Sequence, residues 1–547
     1  MPTLQHLLLV FLFCCPQEAL FSTDYYVHPQ TGNDAHSGRS AQLAFQTLER
    51  ASRINFRPGD RLLLASGETY SGSLKLIGQH GDADRAITIT TVALNGEEDL
   101  VPALIDFKGQ ANGILLKGSS FVQLSNIRLR GEGYSPGDEM DYSMRCGVLI
   151  TNKVDEKTGN IRLDKLKITD VFFENVGFTR GENEVRTANG TQRYGWGVRI
   201  INQDVNDSIE AVAIENCLIT NVSHTGIKLT GRAKNIRHIN LTGNEVYQTG
   251  GPGIQMSGVQ DVYVRNNKVS YSGSKDDGRK WGRGSGLWTW GSSRVLIERN
   301  AFLHANGPGD SAGAHIDFNC DNIILQYNLS AHNAGGFCEV LGNTYNCAYR
   351  YNVSINDGFR IKGVDGAFQE GKVFWLSGYR GRGQKRKGPE NFYFYNNTIY
   401  CDASLVAKIA IDKSTKSVLI ANNIFYLKAG AKSVLGDQYK PDKGSDQLVE
   451  NLVFWNNLFL DQGSWPSDAM LKDERPRFGD PGFRNAGGVN LEDYVPQHTK
   501  LIKRKGIVIR QLSNDSLGLW QPLRLATDIL GHPLKRKPSI GAIEPFY

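Results

Sequence analysis

Two acidic residues, Asp317 in GAHIDF and Glu339 in GFCEVL, stand in short phrases that each open on a glycine and run on in alternating apolar residues. If each phrase is a β-strand, alternate residues face a packed interior and an outer surface. Ala314, Ile316 and Phe318 then point inward, leaving His315 and Asp317 outside. In the following phrase Gly336, Cys338 and Val340 point inward, leaving Phe337 and Glu339 outside. Aligned by this parity, Asp317 and Glu339, 22 residues apart, share one column on neighbouring strands. Two carboxyls so placed can hydrolyse a glycosidic bond, one protonating the leaving oxygen and the other acting as nucleophile or base. Neighbouring strands lie about 4.8 Å apart, nearer the roughly 5–5.5 Å of retaining glycosidases than the roughly 6.5–9.5 Å of inverting ones. Like-charge proximity and the Phe337 ring would raise one pKa and supply the protonated acid. We assign Glu339 as acid/base and Asp317 as nucleophile, with His315 orienting a carboxylate or touching substrate.

The same two columns continue backwards through Trp288 and Trp290, Gln255 and Ser257, Lys228 and Thr230, and Arg199. Indole faces stack on pyranose rings while amides and carboxylates take hydroxyls, so the strip has the composition of a sugar-binding groove. A lone outward carboxylate is ordinarily just solvated; the shared column, the flanking Trp and His, and the acidic run Asp310, Asp317 and Asp321 favour a site. Asp310, Asp317, Asn319 and Asp321 also offer hard oxygen ligands for Ca²⁺, without EF-hand spacing. No cofactor and no metal is otherwise expected. Two other functions fit parts of the strip. A polysaccharide lyase would use Arg199 and Lys228 to neutralise a uronate and abstract a proton, and a non-catalytic binding solenoid would need only the aromatic residues.

A repeated phrase positions these residues. Asn216, Asn244, Asn267, Asn300, Asn328, Asn352, Asn397, Asn423 and Asn457 each sit between apolar residues, mostly at intervals of 23 to 34, with 45 between Asn352 and Asn397. A fixed phrase at this period marks a stacked solenoid, and its β-branched and aromatic content makes each unit a coil of short strands. Asn suits a turn that tolerates left-handed backbone, its amides stacking along the axis. A second column, Gly197, Gly226, Gly253, Gly286, Gly313 and Gly336, keeps step, and extends to Gly113 and Gly147 if Leu149 points outward. The fold expected is a parallel β-helix.

Length 547 need not mean several domains, because coils contact only their neighbours. The apolar run LLLVFLFCC at 7–15 is too short to span a bilayer and predicts a signal peptide over 1–22, hence a secreted or periplasmic product. Residues 23–547 read as one β-helix domain: N-terminal cap and first coils over 23–119, central coils over 120–470, C-terminal coils and cap over 471–547. Past the leader stand six cysteines without CxxC pairing, which argues against zinc. Net charge is +6, concentrated in YRGRGQKRK at 379–387 (Arg380 and Arg382) and in Lys275, Arg279, Lys280 and Arg283. Two basic loops beside the same columns favour an anionic partner. For an exported β-helix that partner is an acidic or sulfated polysaccharide rather than nucleic acid, with no membrane span.

The opening YYVHPQTGNDAHSGRS with its PGD strand start, and the closing DPGFRN and PSIGAIEPF, resemble the caps of secreted right-handed parallel β-helix proteins. Those are mostly polysaccharide lyases and glycoside hydrolases. GDSAGAHIDFNCDN followed by GGFCEVLGN resembles the Asp-bearing coils of β-helix fucosidase, fucanase and xylanase types, although many such coils read Gly-Gly-Phe-Asp where His-Ile-Asp stands here. The resemblance implies right-handed coiling and a glycosidase activity, with sulfated fucan as a candidate substrate.

Overall fold

Strands of two to seven residues cannot satisfy their backbones alone; here they do so by stacking coil upon coil. A computed structural model describes residues 22–94, 100–133, 144–187, 189–190, 193–434 and 449–545. Two sheets of 14 strands and one of 12 run along the molecule, with parallel pairing between successive coils. One coil, for example, supplies Gly195–Ile201, Ile209–Glu215 and Leu218–Val222 to the three sheets in turn. The expected parallel β-helix is the observed architecture. Inward residues stack in files: Ile236, Ile239 and Leu241 lie opposite Val259, Val262 and Val264, all fully buried. Each such side chain contributes roughly 1.5–3 kcal/mol through burial.

The asparagine column is a continuous hydrogen-bonded ladder. Each side-chain Nδ2 from Asn244 to Asn423 donates to the Oδ1 of the next, at 2.9–3.0 Å. The ladder ends where Asn457 Nδ2 donates to Asp473 Oδ2 at 2.7 Å. Asn352 bonds Asn397 directly, so the 45-residue interval is one coil with a long excursion. Two expectations need correction. Asn216 is exposed and outside the ladder; Cys217 holds that position, its N–H donating to Asn244 Oδ1 at 3.0 Å. The left-handed residue is the one before each ladder Asn, such as Asn266 (φ 55°), Arg299 (57°) and Tyr327 (58°). The amide therefore serves as a buried rung, while its predecessor makes the turn.

The glycine column is a close approach of backbones. A Cβ on Gly226 or Gly253 would come within 2.8 Å of the next glycine's carbonyl oxygen, and one on Gly286 within 2.3 Å. Gly113 and Gly147 belong to it, and Leu149 faces outward opposite Arg199 as anticipated. The six cysteines are buried free thiols.

The ends are closed differently. Short helical turns at Ala41–Leu43 and Leu48–Ala51 open the chain, the latter capped by Thr47 Oγ1 accepting from Arg50 N–H. Trp465 packs on Phe425, Phe454 and Phe459 and covers the last coils. The C-terminal segment, expected to cover that edge, instead runs back along the flank. Its backbone carbonyls accept from Tyr327, Arg350, Tyr395 and Asn422 on successive coils. It buries the tyrosine files of that flank, Tyr327, Tyr351 and Tyr395 among them, which would otherwise form an uncovered apolar surface. Except for Ser22, the leader expected over 1–22 lies outside the described residues, among which no helix is long and apolar enough to cross a membrane.

Candidate active site

The 12-stranded sheet carries the predicted strip on its outer face. Parallel register stacks Leu149, Arg199, Lys228, Gln255 and Trp288 in one column, followed by His315. Thr230, Ser257 and Trp290 stack beside it. Leu287 and Thr289 point inward, so both indoles lie outside the coil, Trp288 buried in the cleft and Trp290 39% exposed.

The next coil departs from expectation. Ile316 lies opposite Val340, an offset of 24 residues, and this sets His315 rather than Asp317 beside Glu339. Asp317 and Glu339 occupy adjacent coils but are displaced two residues along the strand. Combining a 4.8 Å spacing with a two-residue rise separates their backbones by roughly 8 Å, which removes the spacing argument for retention. Two aromatic residues are also reversed. Phe337 packs inside against Tyr349 and Phe394, because Gly336 (φ 146°) turns the strand so that Phe337 and Cys338 both face the core. Phe318 lies past the strand end at Ile316 and packs outside, edge-on to Trp290 and Tyr379.

Three carboxyls gather here under different electrostatics. Asp317 is held by its own turn, Oδ1 accepting from Phe318 N–H at 2.7 Å. It keeps a window to solvent, but dense surroundings dominate and burial pushes its pKa up to about 7, with Asp310 and Glu339 adding to the rise and His315 opposing it. Burial likewise raises Glu339, opposed by His315 and Lys372. Asp310 goes the other way. Burial would raise it, but Arg283 grips both oxygens, Nε to Oδ2 at 2.7 Å and Nη2 to Oδ1 at 3.0 Å, and holds it below the usual carboxylate range. Its backbone is fixed as well, N–H donating to Gln369 Oε1 at 2.7 Å and C=O accepting from Arg360 Nη1 at 2.8 Å. His315 Nδ1 lies 3.0 Å from Ser285 Oγ, and its ring meets Trp288 edge-on at 5.6 Å. This set can hold one acid protonated and another ionised at neutral pH.

The basic residues sort unevenly. Lys280 is buried, its ammonium donating to Gln248 O (2.9 Å) and Asp276 Oδ1 (2.8 Å), which withdraws it from the predicted substrate contact. Arg279 pairs with Asp277 and Glu132, and Arg283 with Asp310, so 275–283 is a neutralised brace rather than a positive field. Arg380 folds onto its own loop, Nε donating to Lys385 O at 2.6 Å, while Arg382 is exposed. That loop starts at the site's rim, where Tyr379 meets Phe318 at 5.7 Å. The calcium candidates do not converge: Asp310 belongs to Arg283 and Asp321 to Lys234 (2.7 Å). Among the described residues no group of three His, Cys, Asp or Glu could hold a metal.

Sequence reasoning missed Arg360, Lys372 and Trp375. Trp375 stands opposite Glu339 on the next coil, and the Lys372 ammonium lies 3.6 Å from the Trp375 ring centre. Burial lowers Lys372 to about 8, with Glu339 opposing. The phrase KVFWL carried the column's alternation, but the long excursion before it hid its place in the repeat.

A family model described as "Right handed beta helix region" matches residues 196–364. The chain is 24% identical to a lacto-N-biosidase of Bifidobacterium longum subsp. longum across 95% of its own length and 36% of that protein's. It thus spans about a third of that relative. Among solved structures, a GH136 lacto-N-biosidase from Eubacterium ramulus superposes with a TM-score of 0.53 at 18% identity, covering 76% of this chain and 67% of that one. The chain is a right-handed parallel β-helix, similar along nearly all its length to a protein named as a lacto-N-biosidase.

Proposed function

We propose that this chain is a glycoside hydrolase that lays a glycan along the outer face of the 12-stranded sheet, with Asp317 as proton donor and Asp310 as the ionised carboxylate. The observation that carries the reading is the opposed electrostatics of these two acids: burial lifts Asp317 to about 7 while Arg283 keeps Asp310 charged. Paired acids whose environments push their pKa values apart mark the donor and the anion of acid–base chemistry. This replaces the assignment of Asp317 as nucleophile, because a group that holds its proton near neutrality is the better donor. Asp317 protonates the glycosidic oxygen as the bond breaks, and the Asp310 carboxylate stabilises the oxocarbenium charge that develops on the sugar. Asp317, now ionised, takes a proton from the incoming water. His315 and Glu339 wall the site, and Trp288, Trp290 and Gln255 serve as flanking subsites. The similarity to a lacto-N-biosidase supports the glycosidase class.

The proposed substrate is an anionic polysaccharide, with sulfated fucan a candidate, met outside the cytoplasm by a product exported through its leader. Support comes from the net charge of +6 and the exposed Arg382 at the rim rather than from 275–283. Incubation with neutral, uronic and sulfated glycans tests the reading, with products followed by mass and ultraviolet absorbance. Saturated fragments are expected. Unsaturated fragments would transfer the case to a lyase, and binding without product would leave a carbohydrate-binding solenoid.

A further inference from the structure

The polar groups along the outer column are not equally provided for. Three and four coils from His315, Lys228 and Arg199 stand opposite each other in register, only 8% and 7% exposed. Arg199 Nε and Nη1 have no hydrogen-bond partner, and no carboxylate pairs with either residue among the described residues. Their charged ends lie 5.3 Å and 6.0 Å from the Trp196 ring, whose own Nε1 is unpartnered. Both point away from the core, since the inward positions of their strands are Val198, Ile200, Ile227 and Leu229. Two adjacent cations in a desolvated wall, with no counter-ion among the described residues, repel each other and forgo the hydration they would have in water. Burial pushes Lys228 well below the ordinary lysine range, helped by Arg199, and lowers Arg199 to about 10. A fold that neutralises Arg279, Lys280 and Arg283 with carboxylates leaves these two without one among the described residues.

We propose that Arg199 and Lys228 form a subsite for one anionic substituent of a glycan, a carboxylate or a sulfate ester, with Trp196 as the platform for the sugar that bears it. The forked guanidinium suits either oxyanion. At 4.8 Å per coil the subsite lies about 14–19 Å along the axis from His315, so the charge is read several sugar units away from the scissile bond. The proposal rests on the hydrolase reading for the glycan and deepens it: substrate charge is recognised at one buried point instead of through a diffuse surface field.

Titration calorimetry on the full chain carrying Asp317→Asn separates binding from turnover. The probes are a uronate-containing, a sulfated and a neutral oligosaccharide of equal length. At least one anionic probe is expected to bind ten times more tightly than the neutral one, and which does so identifies the oxyanion. Arg199→Met with Lys228→Met should abolish that preference while the ligand-free Tm holds or rises, because a buried repulsion is removed. Equal binding of all three probes, or an undiminished preference in the double variant, overturns the proposal. So does a fall in Tm with the preference intact, which would make the pair structural. Anion preference without hydrolysis of any glycan would sustain the subsite and sink the hydrolase; hydrolysis without anion preference would do the reverse.

Discussion

Two columns run the length of this β-helix and use stacking in opposite ways. At one corner, one residue type repeats, and each Asn both donates to and accepts from its neighbours until Asp473 ends the series. On the outer face of the 12-stranded sheet, only tryptophan recurs between Arg199 and Trp375, at Trp288 and Trp375 itself, and polar atoms of Trp196, Arg199, Thr230 and Trp288 are buried without partners among the described residues. Identical coils would satisfy both columns equally. Buried polar groups are nearly always paired in folded proteins, and on the proposed reading the column that leaves its own unpaired takes its partners from a bound glycan. Satisfied repetition marks scaffold, and unsatisfied variety marks a site.

Exchanging the two kinds of residue should therefore give opposite phenotypes, and the largest effect belongs to Asp317. Asp317→Asn is expected to lower kcat by about 10²–10⁴-fold, the usual share of a general acid, with Tm unchanged or raised. The pH dependence follows in sign. The active form carries the proton, so kcat/KM should hold below about 7 and fall as pH rises through that value. The folded state holds this proton more tightly than the unfolded chain, where an aspartate titrates near about 3.9. The group's stabilising contribution is therefore present below about 4 and is lost as pH rises through about 7, and the amide variant removes that slope. Retained turnover in Asp317→Asn would take the acid elsewhere.

Asn300→Ala should do the reverse. It deletes bonds to Val264 O and Asn328 Oδ1, both 3.0 Å, and the acceptor that takes Asn267 N–H and Nδ2–H, both 2.9 Å. Buried groups left unpaired cost about 1–3 kcal/mol each, so a loss of about 3 kcal/mol in denaturant unfolding is expected, with activity per folded molecule retained. An unchanged unfolding midpoint would show the ladder to be incidental.

The two columns were not equally legible in the sequence. The ladder announces itself because repetition of one residue type survives any small misalignment, although at its first coil the rung position falls on Cys217, one place after Asn216. The site column has no such anchor. Alternation reports which face a residue takes, but an offset of 22 and one of 24 give the same alternation, so parity could not see that Glu339 falls beside His315. It also assumed regular pleats, and failed where Gly336 turned Phe337 inward and where the strand stopped before Phe318. Charge was misread for a related reason. Lys280 is a cation in sequence, but Asp276 four residues earlier and the Gln248 carbonyl on the preceding coil spend it within the structure.

The smallest effect sharpens where the site column meets solvent. Trp290 is the exposed member of the indole pair, and with Phe318 (5.9 Å) and Tyr379 it forms an edge-to-face shelf beside Asp317. On the proposed reading its ring binds sugar without touching the reacting atoms, and it then contributes alike to the ground state and the transition state. Trp290→Ala should then raise KM about five- to tenfold with kcat unchanged, the signature of uniform binding. That corresponds to roughly 1 kcal/mol, the scale of one aromatic contact. Unlike Asn300, Trp290 lies outside the core and meets solvent, so Tm should move by less than about 0.5 kcal/mol equivalent. A fall in kcat at constant KM would instead move Trp290 into the transition-state contacts, and an unchanged KM on a polymeric substrate would end the shelf's claim to be a subsite.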